Sequence, residues 1–176
     1  MKDARNIIHM IQNWEDLISS TDKLRAHYSK IPPLVQVTLR SIHLSQHGPT
    51  VILRLDLPTF PDRPLPEWTD QGCDRLQCHV RFLAVEGFSM RRWEPPVVAD
   101  VQMESREKRR IKVDVLSSQT NLSFTSNDSL TVGRISAFRA PDGGPDRGKH
   151  HYVGRMDRLK YDSVPDPEVE VYYERF

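Results

Sequence analysis

Cysteine is nearly absent from this sequence, whose 176 residues include only Cys73 and Cys78. Two cysteines cannot build the disulfide framework of a small secreted domain, so the composition favours a reduced, cytoplasmic setting. Cys78 alternates in phase with Leu76 and Val80, which predicts a small, buried apolar side chain. A bridge between the two cysteines is the less favoured alternative, and nothing near them supplies the histidine or helix terminus that a reactive thiolate needs.

Long apolar runs and an excess of one charge are also missing. No run approaches the ~20 residues of a membrane-spanning helix. Residues 1–9 lack the apolar stretch of a signal peptide, so the chain is expected to stay where it is made. The 25 Lys and Arg residues nearly balance the 24 Asp and Glu residues, for a net charge of +1. Nucleic-acid-binding proteins usually carry a strong positive excess, so neither nucleic acid nor a membrane is an expected partner.

Motifs that organise enzyme sites are missing as well. The sequence has no glycine-rich phosphate loop, no Gly-x-Ser-x-Gly elbow, no His-Glu-x-x-His and no paired Cys-x-x-Cys. Adjacent histidines point apart, so we interpret His150-His151 as part of a solvated tail rather than as metal ligands. His43 and His79 are predicted as exposed histidines on strands. We therefore predict no catalytic residue, no metal site and no cofactor, and the chain is not expected to be an enzyme.

Two charged segments leave functional alternatives open. Carboxylates gather around a proline-rich stretch, at Asp56, Asp62, Glu67, Asp70 and Asp74. They could form the site of a small metal-dependent hydrolase, but polar loops favour the same residues and we prefer that interpretation. Arg54 and Asp56 share a strand face and could pair. Residues 106–110 form a basic run that we interpret as a solvated turn, because Glu104 and Glu107 dilute its charge.

Periodic apolar residues are what the sequence does contain. Three- and four-residue spacing predicts an N-terminal amphipathic helix that includes Ile7, Ile8, Ile11, Trp14, Leu17 and Ile18. Asn13 could instead cap a shorter helix, and either start turns Trp14 inward. A second helical turn is predicted between Asp22 and Tyr28, ending before Pro32 and Pro33.

From residue 35 onward the apolar period is two, which is typical of strands. A change of phase near Arg40 and Ser41 predicts a β-bulge. Short alternating segments then follow one another as far as Phe138, separated by turns. The predicted fold class is α+β and mainly β: an N-terminal helix packed on a largely antiparallel, meandering sheet of seven to eight strands.

The Pro- and Gly-rich run at residues 141–145 predicts a boundary. Residues 1–140 are predicted to form a single α+β domain, and residues 141–176 a polar C-terminal extension. Alternation at residues 169–173 is typical of a final strand, which could add to an edge of this sheet or of a second copy, or stay unpaired. A homodimer is therefore one open alternative.

The proline-rich stretch is the most distinctive part of the sequence. Ile31-Pro32-Pro33-Leu34 is followed by Asp56-Leu57-Pro58-Thr59-Phe60-Pro61 and by Pro64-Leu65-Pro66-Glu67-Trp68. With Trp14 upstream and Phe82 and Trp93 downstream, these residues resemble the immunity protein 50 family of bacterial polymorphic toxin systems, over about residues 14–138. The resemblance implies a cytoplasmic antitoxin that neutralises a cognate toxin domain by direct contact, and it implies no catalytic residues.

Two residue sets follow from this hypothesis. We favour a scaffold role over direct toxin contact for the residues of the resemblance, because prolines fix the chain path and aromatic rings anchor loops: Trp14, Pro32, Pro33, Asp56, Pro58, Phe60, Pro61 and Trp68. Arginine and aromatic side chains often anchor protein interfaces, so the candidate toxin-binding residues are Arg75, Arg81, Arg91, Arg92 and Trp93. A structural or housekeeping interaction domain without a toxin partner is the alternative function.

Overall fold

Nine strands form one antiparallel sheet in the computed structural model of this chain, which describes residues 10, 13–45 and 47–165. The strands are β1 (Val37–Leu44), β2 (Val51–Asp56), β3 (Arg75–Phe82), β4 (Glu86–Arg91), β5 (Val97–Arg106), β6 (Arg110–Leu116), β7 (Asn121–Asn127), β8 (Thr131–Phe138) and β9 (His150–Tyr152). Their order across the sheet is β4-β7-β6-β5-β1-β2-β3-β8-β9. The prediction of a mainly β fold with an antiparallel sheet is confirmed. The predicted number of strands, seven to eight, was too low.

Helical segments in the described part of the chain are short. Two 3-10 turns span Trp14–Leu17 and Pro141–Gly143, and the α-helices are α1 (Asp22–Arg25), α2 (Pro66–Asp70) and α3 (Arg155–Lys160). None of the helices among the described residues is long and apolar enough to cross a membrane.

The predicted N-terminal helix packed on the sheet is not found in the described residues. Its first part, including Ile7, Ile8 and Ile11, lies outside them. The residues after Asn13 form a single 3-10 turn that ends at Leu17. The helix does not continue, because the backbone of residues 17–19 forms hydrogen bonds to Leu130. The Leu130 amide donates to the Leu17 carbonyl at 2.8 Å, and the Ser19 amide donates to the Leu130 carbonyl at 2.9 Å. Trp14 nevertheless points inward, as predicted, and is 4% exposed.

The sheet curls so that its two halves face each other. Strand β5 joins them: Val97–Ala99 pair with β1, whereas residues 100–106 pair with β6. Phe82 on β3 and Phe124 on β7 are separated by four strands in the sheet order, yet their ring centroids lie 5.1 Å apart. The apolar core therefore fills the space between the half that contains β4, β7 and β6 and the half that contains β1, β2, β3 and β8.

The alternating residues predicted to face inward line this core. On β3, Leu76, Cys78, Val80 and Phe82 are all fully buried. On β1 the alternation is interrupted where predicted, because the pairing with β2 shifts register between Leu39 and Ser41. This bulge leaves Arg40 without an opposite residue and turns its side chain away from the core.

Candidate binding face

Two rows of side chains cross the outer side of strands β1, β2, β3 and β8. In the first row, Ile52 lies opposite both His43 and Arg81, and Arg81 lies opposite Thr131. In the second row, Arg54 lies opposite Ser41 and His79, and His79 lies opposite Gly133. Directly opposed residues of antiparallel strands project on the same side of a sheet, so these rows form one surface, which we call the outer face.

A pocket lies on the outer face above Gly133. It has a volume of about 140 Å³ and is lined by Ile52, His79, Arg81 and residues 131–134. Gly133 creates the depression because it has no side chain: no atom of the described residues lies within 4 Å of a Cβ placed on it. We call this depression the Gly133 pocket.

A second β-bulge places Arg134 at the rim of the pocket. Gln77 and His79 on β3 pair with Ser136 and Gly133 on β8. One residue lies between the paired positions on β3, whereas two residues lie between them on β8. The extra residue lets Arg134 adopt a left-handed φ of 46°, which is uncommon for a residue with a side chain. Its guanidinium carbon lies 5.3 Å from the centre of the Tyr161 ring, a cation–π geometry that holds the side chain over the outer face.

The described lining of the Gly133 pocket contains two basic residues. These are Arg81 and Arg134, and none of its described lining residues is acidic. Burial, followed by the charges of Arg134, Arg54 and Arg81, lowers the pKa of His79 to about 3. His79 is therefore neutral at physiological pH, and the arginines supply the positive charge. His43, predicted with His79 to be exposed, is half-buried, and its Nε2 has no hydrogen-bond partner among the described residues.

The other end of the outer face is covered by residues 139–150. Beneath this covering segment, Asp56 accepts hydrogen bonds from Nε and Nη2 of Arg40 at 2.9 and 2.6 Å, and from Nε2 of Gln77 at 3.0 Å. Arg40 also donates to the Gly144 carbonyl at 2.9 Å. Arg54, which the sequence suggested as the partner of Asp56, instead pairs with Asp146 of the covering segment. The reason is the bulge at Arg40, which brings a second arginine to the same carboxylate.

Asp146 attaches the covering segment to the sheet. Its carboxylate accepts a hydrogen bond from Nε2 of Gln77 at 2.8 Å in addition to the ion pair with Arg54. Burial acts to raise the pKa of Asp146, but the hydrogen bond from Gln77 and the charges of Arg54 and Arg40 outweigh it and hold the pKa below its ordinary value. Asp146 is therefore ionised at neutral pH.

The histidine pair that was predicted to lie in a solvated tail is buried. His150 is 2% exposed, with Nδ1 2.8 Å from the Ser136 hydroxyl and Nε2 2.8 Å from the Asp146 carbonyl. His151 is 8% exposed and lies 2.9 Å from Glu67. Sequence spacing could not reveal this, because both histidines lie on β9, whose partner β8 is needed to bury them. Burial lowers the pKa of His150.

The carboxylates around the proline-rich stretch do not converge. Asp62 accepts hydrogen bonds from the amide and hydroxyl of Ser29, and Asp74 accepts one from the Ala140 amide at 2.8 Å. Asp70 is exposed at the end of α2. Over the described ranges, no group of three or more His, Cys, Asp or Glu side chains could hold a metal ion. Asp62 and Asp74 therefore have structural partners in different parts of the fold.

The candidate toxin-binding residues lie in three separate places. Arg81 lines the Gly133 pocket, whereas Arg75 lies at the other end of β3, ~20 Å away at the usual rise of a strand. Arg91 is exposed on β4, in the other half of the sheet, beside a shallow cavity that also includes Asp114 and Leu116. Arg92 is exposed next to it, but Trp93 is half-buried and packs against the core. The structure therefore brings only Arg81 into the Gly133 pocket.

The residues predicted to form a scaffold lie mostly in the interior. Nε1 of Trp14 donates to the Pro32 carbonyl at 2.9 Å. Trp68 is 1% exposed, and its ring packs against His27 and Phe60 with centroids 4.6 and 6.4 Å away. Pro61 and Asp56 are buried and Pro58 is half-buried, whereas Pro33 is exposed.

Sequence reasoning missed Gly133 and Arg134. A signal was present, since an isolated glycine within an apolar, alternating segment suggests a bulge or an open space above the strand.

A family model described as Immunity protein 50 matches residues 20–137. The match covers β1 to β7 and nearly all of β8, so it includes the whole Gly133 pocket but neither the covering segment nor β9. No curated protein and no solved structure matched the chain.

Proposed function

Because this chain belongs to the immunity protein 50 family, we propose that it binds a cognate toxin domain of a bacterial polymorphic toxin system and neutralises it by direct contact in the cytoplasm. The family match over residues 20–137 is the observation that carries this proposal, because it spans nearly the whole sheet. An immunity protein acts by binding rather than by catalysis, and Asp56, Asp62, Asp74, His150 and His151 have the structural partners given above.

The contact surface that we propose is the part of the outer face around the Gly133 pocket. Its side chains project from adjacent, hydrogen-bonded strands, so they are held in place before a partner arrives and lose little conformational entropy on binding. A typical interface buries ~800 Å² on each partner, with arginine among the residues that contribute most. Arg81 is the candidate that meets these conditions. Arg75, Arg91, Arg92 and Trp93 remain proposed contacts outside this surface.

Co-expression with the toxin domain encoded beside this chain tests the proposal. We expect the wild-type chain to restore growth to cells that produce the active toxin domain, and to co-purify with an inactive variant of that domain. Arg81→Glu should weaken both effects, whereas Arg106→Glu, an exposed arginine at the end of β5, serves as the matched control. Cells that die at the same rate with and without the wild-type chain would show that the proposal is wrong.

A further inference from the structure

We propose that two copies of this chain associate through strand β4, with Met90 of each copy entering an apolar depression beside Phe88 of the other. This inference is independent of the proposed function, because it concerns contacts between copies of the chain and not contacts with a toxin domain. The sequence left a homodimer open through residues 169–173, which lie outside the described part of the chain. The structure directs attention to β4 instead.

The two edges of the sheet differ in how far they are covered. At one edge, β9 is buried, and its His150 amide donates to the Asp162 carbonyl at 2.8 Å. At the other edge, every residue of β4 except Phe88 is exposed, and none of the described strands pairs with its outer side. An uncovered edge offers unpaired amide and carbonyl groups to another strand. Within the described residues, β4 is therefore the edge at which a further strand can add.

The backbone of Met90 is directed outward at this edge. In the pairing of β6 with β7, the Ser117 amide donates to the Thr120 carbonyl, and hydrogen-bonded positions alternate along antiparallel strands. Leu122 therefore directs its amide and carbonyl toward β6, whereas its neighbours at 121 and 123 direct theirs toward β4. Because Met90 lies opposite Leu122, its own amide and carbonyl are directed away from β7, toward solvent.

An apolar depression with a volume of about 210 Å³ lies beside β4. Phe88, Val85 and Leu44 line it, and Leu44 is 56% exposed. In an antiparallel, two-fold pairing of two β4 strands centred on Ser89, Phe88 of one copy lies opposite Met90 of the other. Met90 is 43% exposed, and methionine adapts to irregular apolar gaps and makes favourable contacts with aromatic rings. The pairing therefore buries two methionines and two depressions together.

The same pairing brings opposite charges together. The bulge at Gly87 separates Glu86 from the regular part of β4, which puts Glu86 opposite Arg91 of the second copy. Arg91 is exposed, and no ion pair joins it to another described residue.

Glu86 can reach a second copy although it has a partner within the chain. Its side chain is 78% exposed, and its contact with Arg110 is long, at 3.5 Å. Arg110 also donates to the Ala84 carbonyl at 2.8 Å, so it keeps a partner if Glu86 turns away. A strand that complements itself in apolar contacts and in charge favours a second copy over an unrelated strand.

Replacing the methionine tests the contact. Self-association of the purified full chain is measured by sedimentation equilibrium, and we expect a concentration-dependent dimer. Met90→Lys should raise the Kd of the dimer about tenfold or more, because the depression would then receive a charge. Val98→Lys is the matched control, since Val98 is also an apolar strand residue and is 53% exposed on β5. Its Kd should change less than about twofold.

A charge exchange tests the register. Glu86→Arg puts two arginines opposite each other in the proposed pairing, and Arg91→Glu puts two glutamates there, so neither variant should associate with itself. An equimolar mixture of the two variants should form a heterodimer, because each pair then contains one arginine and one glutamate. No toxin domain takes part in this experiment, so its outcome does not depend on the proposed function.

Three results would overturn the inference. One is a wild-type chain that stays monomeric at ~1 mM, the weak limit of specific association. Another is a dimer that Met90→Lys leaves unchanged, or a mixture of the two charge variants that stays monomeric, since the contact would then lie elsewhere. The third is a monomeric wild-type chain whose Kd for the inactive toxin domain rises in Met90→Lys, because β4 would then bind the toxin. The proposed function would stand in each of these cases.

Discussion

Arg40 and Asp56 form an ion pair that is almost completely removed from solvent, with 3% and 1% of their side chains exposed and 2.6 Å between Nη2 and Oδ2. The pair exists because the β1 bulge turns Arg40 onto the outer face, where Gln77 and the Gly144 carbonyl satisfy the remaining hydrogen-bonding groups. Taking two charges out of water is costly, and only such a complete set of partners offsets the cost. The covering segment contacts this buried pair through the Gly144 carbonyl, which accepts a hydrogen bond from Arg40.

Removing one charge of this pair should strongly destabilise the fold. In Asp56→Asn, the guanidinium of Arg40 would stay buried without its counter-charge, and we expect the free energy of unfolding to fall by about 3–5 kcal/mol. Urea denaturation measures this loss. The exposed pair between Arg109 and Asp128 provides the control, and Asp128→Asn should cost less than about 1 kcal/mol. Equal losses for the two variants would contradict the structural role of the buried pair.

Asp146 is expected to control the covering segment. Asp146→Asn removes the charge that pairs with Arg54, so amide hydrogen exchange at residues 141–150 should become faster while the core strands β2 and β3 keep their protection. Asp142→Asn is a suitable control in the same segment because Asp142 is exposed and its φ of 58° suits asparagine. Unchanged exchange in Asp146→Asn would mean that other contacts hold the segment.

Stability should fall as the pH is lowered from about 7 to 4.5. The pKa of His79 is lowered to about 3, so this histidine stays neutral in the folded chain over this range while it becomes protonated in the unfolded chain below about pH 6.5. The pKa of His150 is also lowered, so it too is less protonated in the folded chain than in the unfolded chain. The unfolded state then binds more protons, and acidification favours it. Asp146 does not contribute in this window, because its pKa lies below the ordinary value of 3.8.

Replacing His79 isolates its share of this pH dependence. His79→Gln should reduce the loss of unfolding free energy between pH 7 and pH 4.5 by about 2–3 kcal/mol, since glutamine does not titrate. Urea midpoints at the two pH values measure the difference. His47→Gln, a change at an exposed turn residue, should leave the pH dependence as it is in the wild-type chain. If the unfolding free energy of His79→Gln depended more steeply on pH than that of the wild-type chain, the prediction would be wrong.

Local patterns were enough to predict most of the sheet. The alternation along β3 identified its buried side, and the phase change at Arg40 identified the bulge, because both features depend only on which side of a strand each residue faces. From Asn13 onward the predicted N-terminal helix is not found, for a non-local reason. Residues 17–19 make backbone hydrogen bonds to Leu130, more than a hundred positions later, and this pairing overrides helical spacing.

The candidate binding face was less predictable than the fold. Gly133 faces His79 only because β8 pairs with β3, and that pairing brings together residues more than fifty positions apart. β9 was missed for a related reason, since His150 and His151 show no apolar alternation and are buried through contacts with Ser136 and Glu67. The sequence was enough to name individual arginines as candidates. It could not show that they lie on separate surfaces, because that depends on the order of the strands in the sheet.

The two cysteines should differ in reactivity. Both are free thiols, and burial raises the pKa of Cys78 to about 12, so its thiolate is scarce in the folded state. The pKa of Cys73 is also raised, chiefly by burial, but this residue is half-buried in the turn after α2. With a chromogenic disulfide reagent at pH 8, we expect Cys73 to react first and Cys78 to react only on unfolding. Cys73→Ser should leave a single slow phase that follows the unfolding rate in urea. A fast reaction of Cys78 in that variant would show that the strand β3 opens without global unfolding.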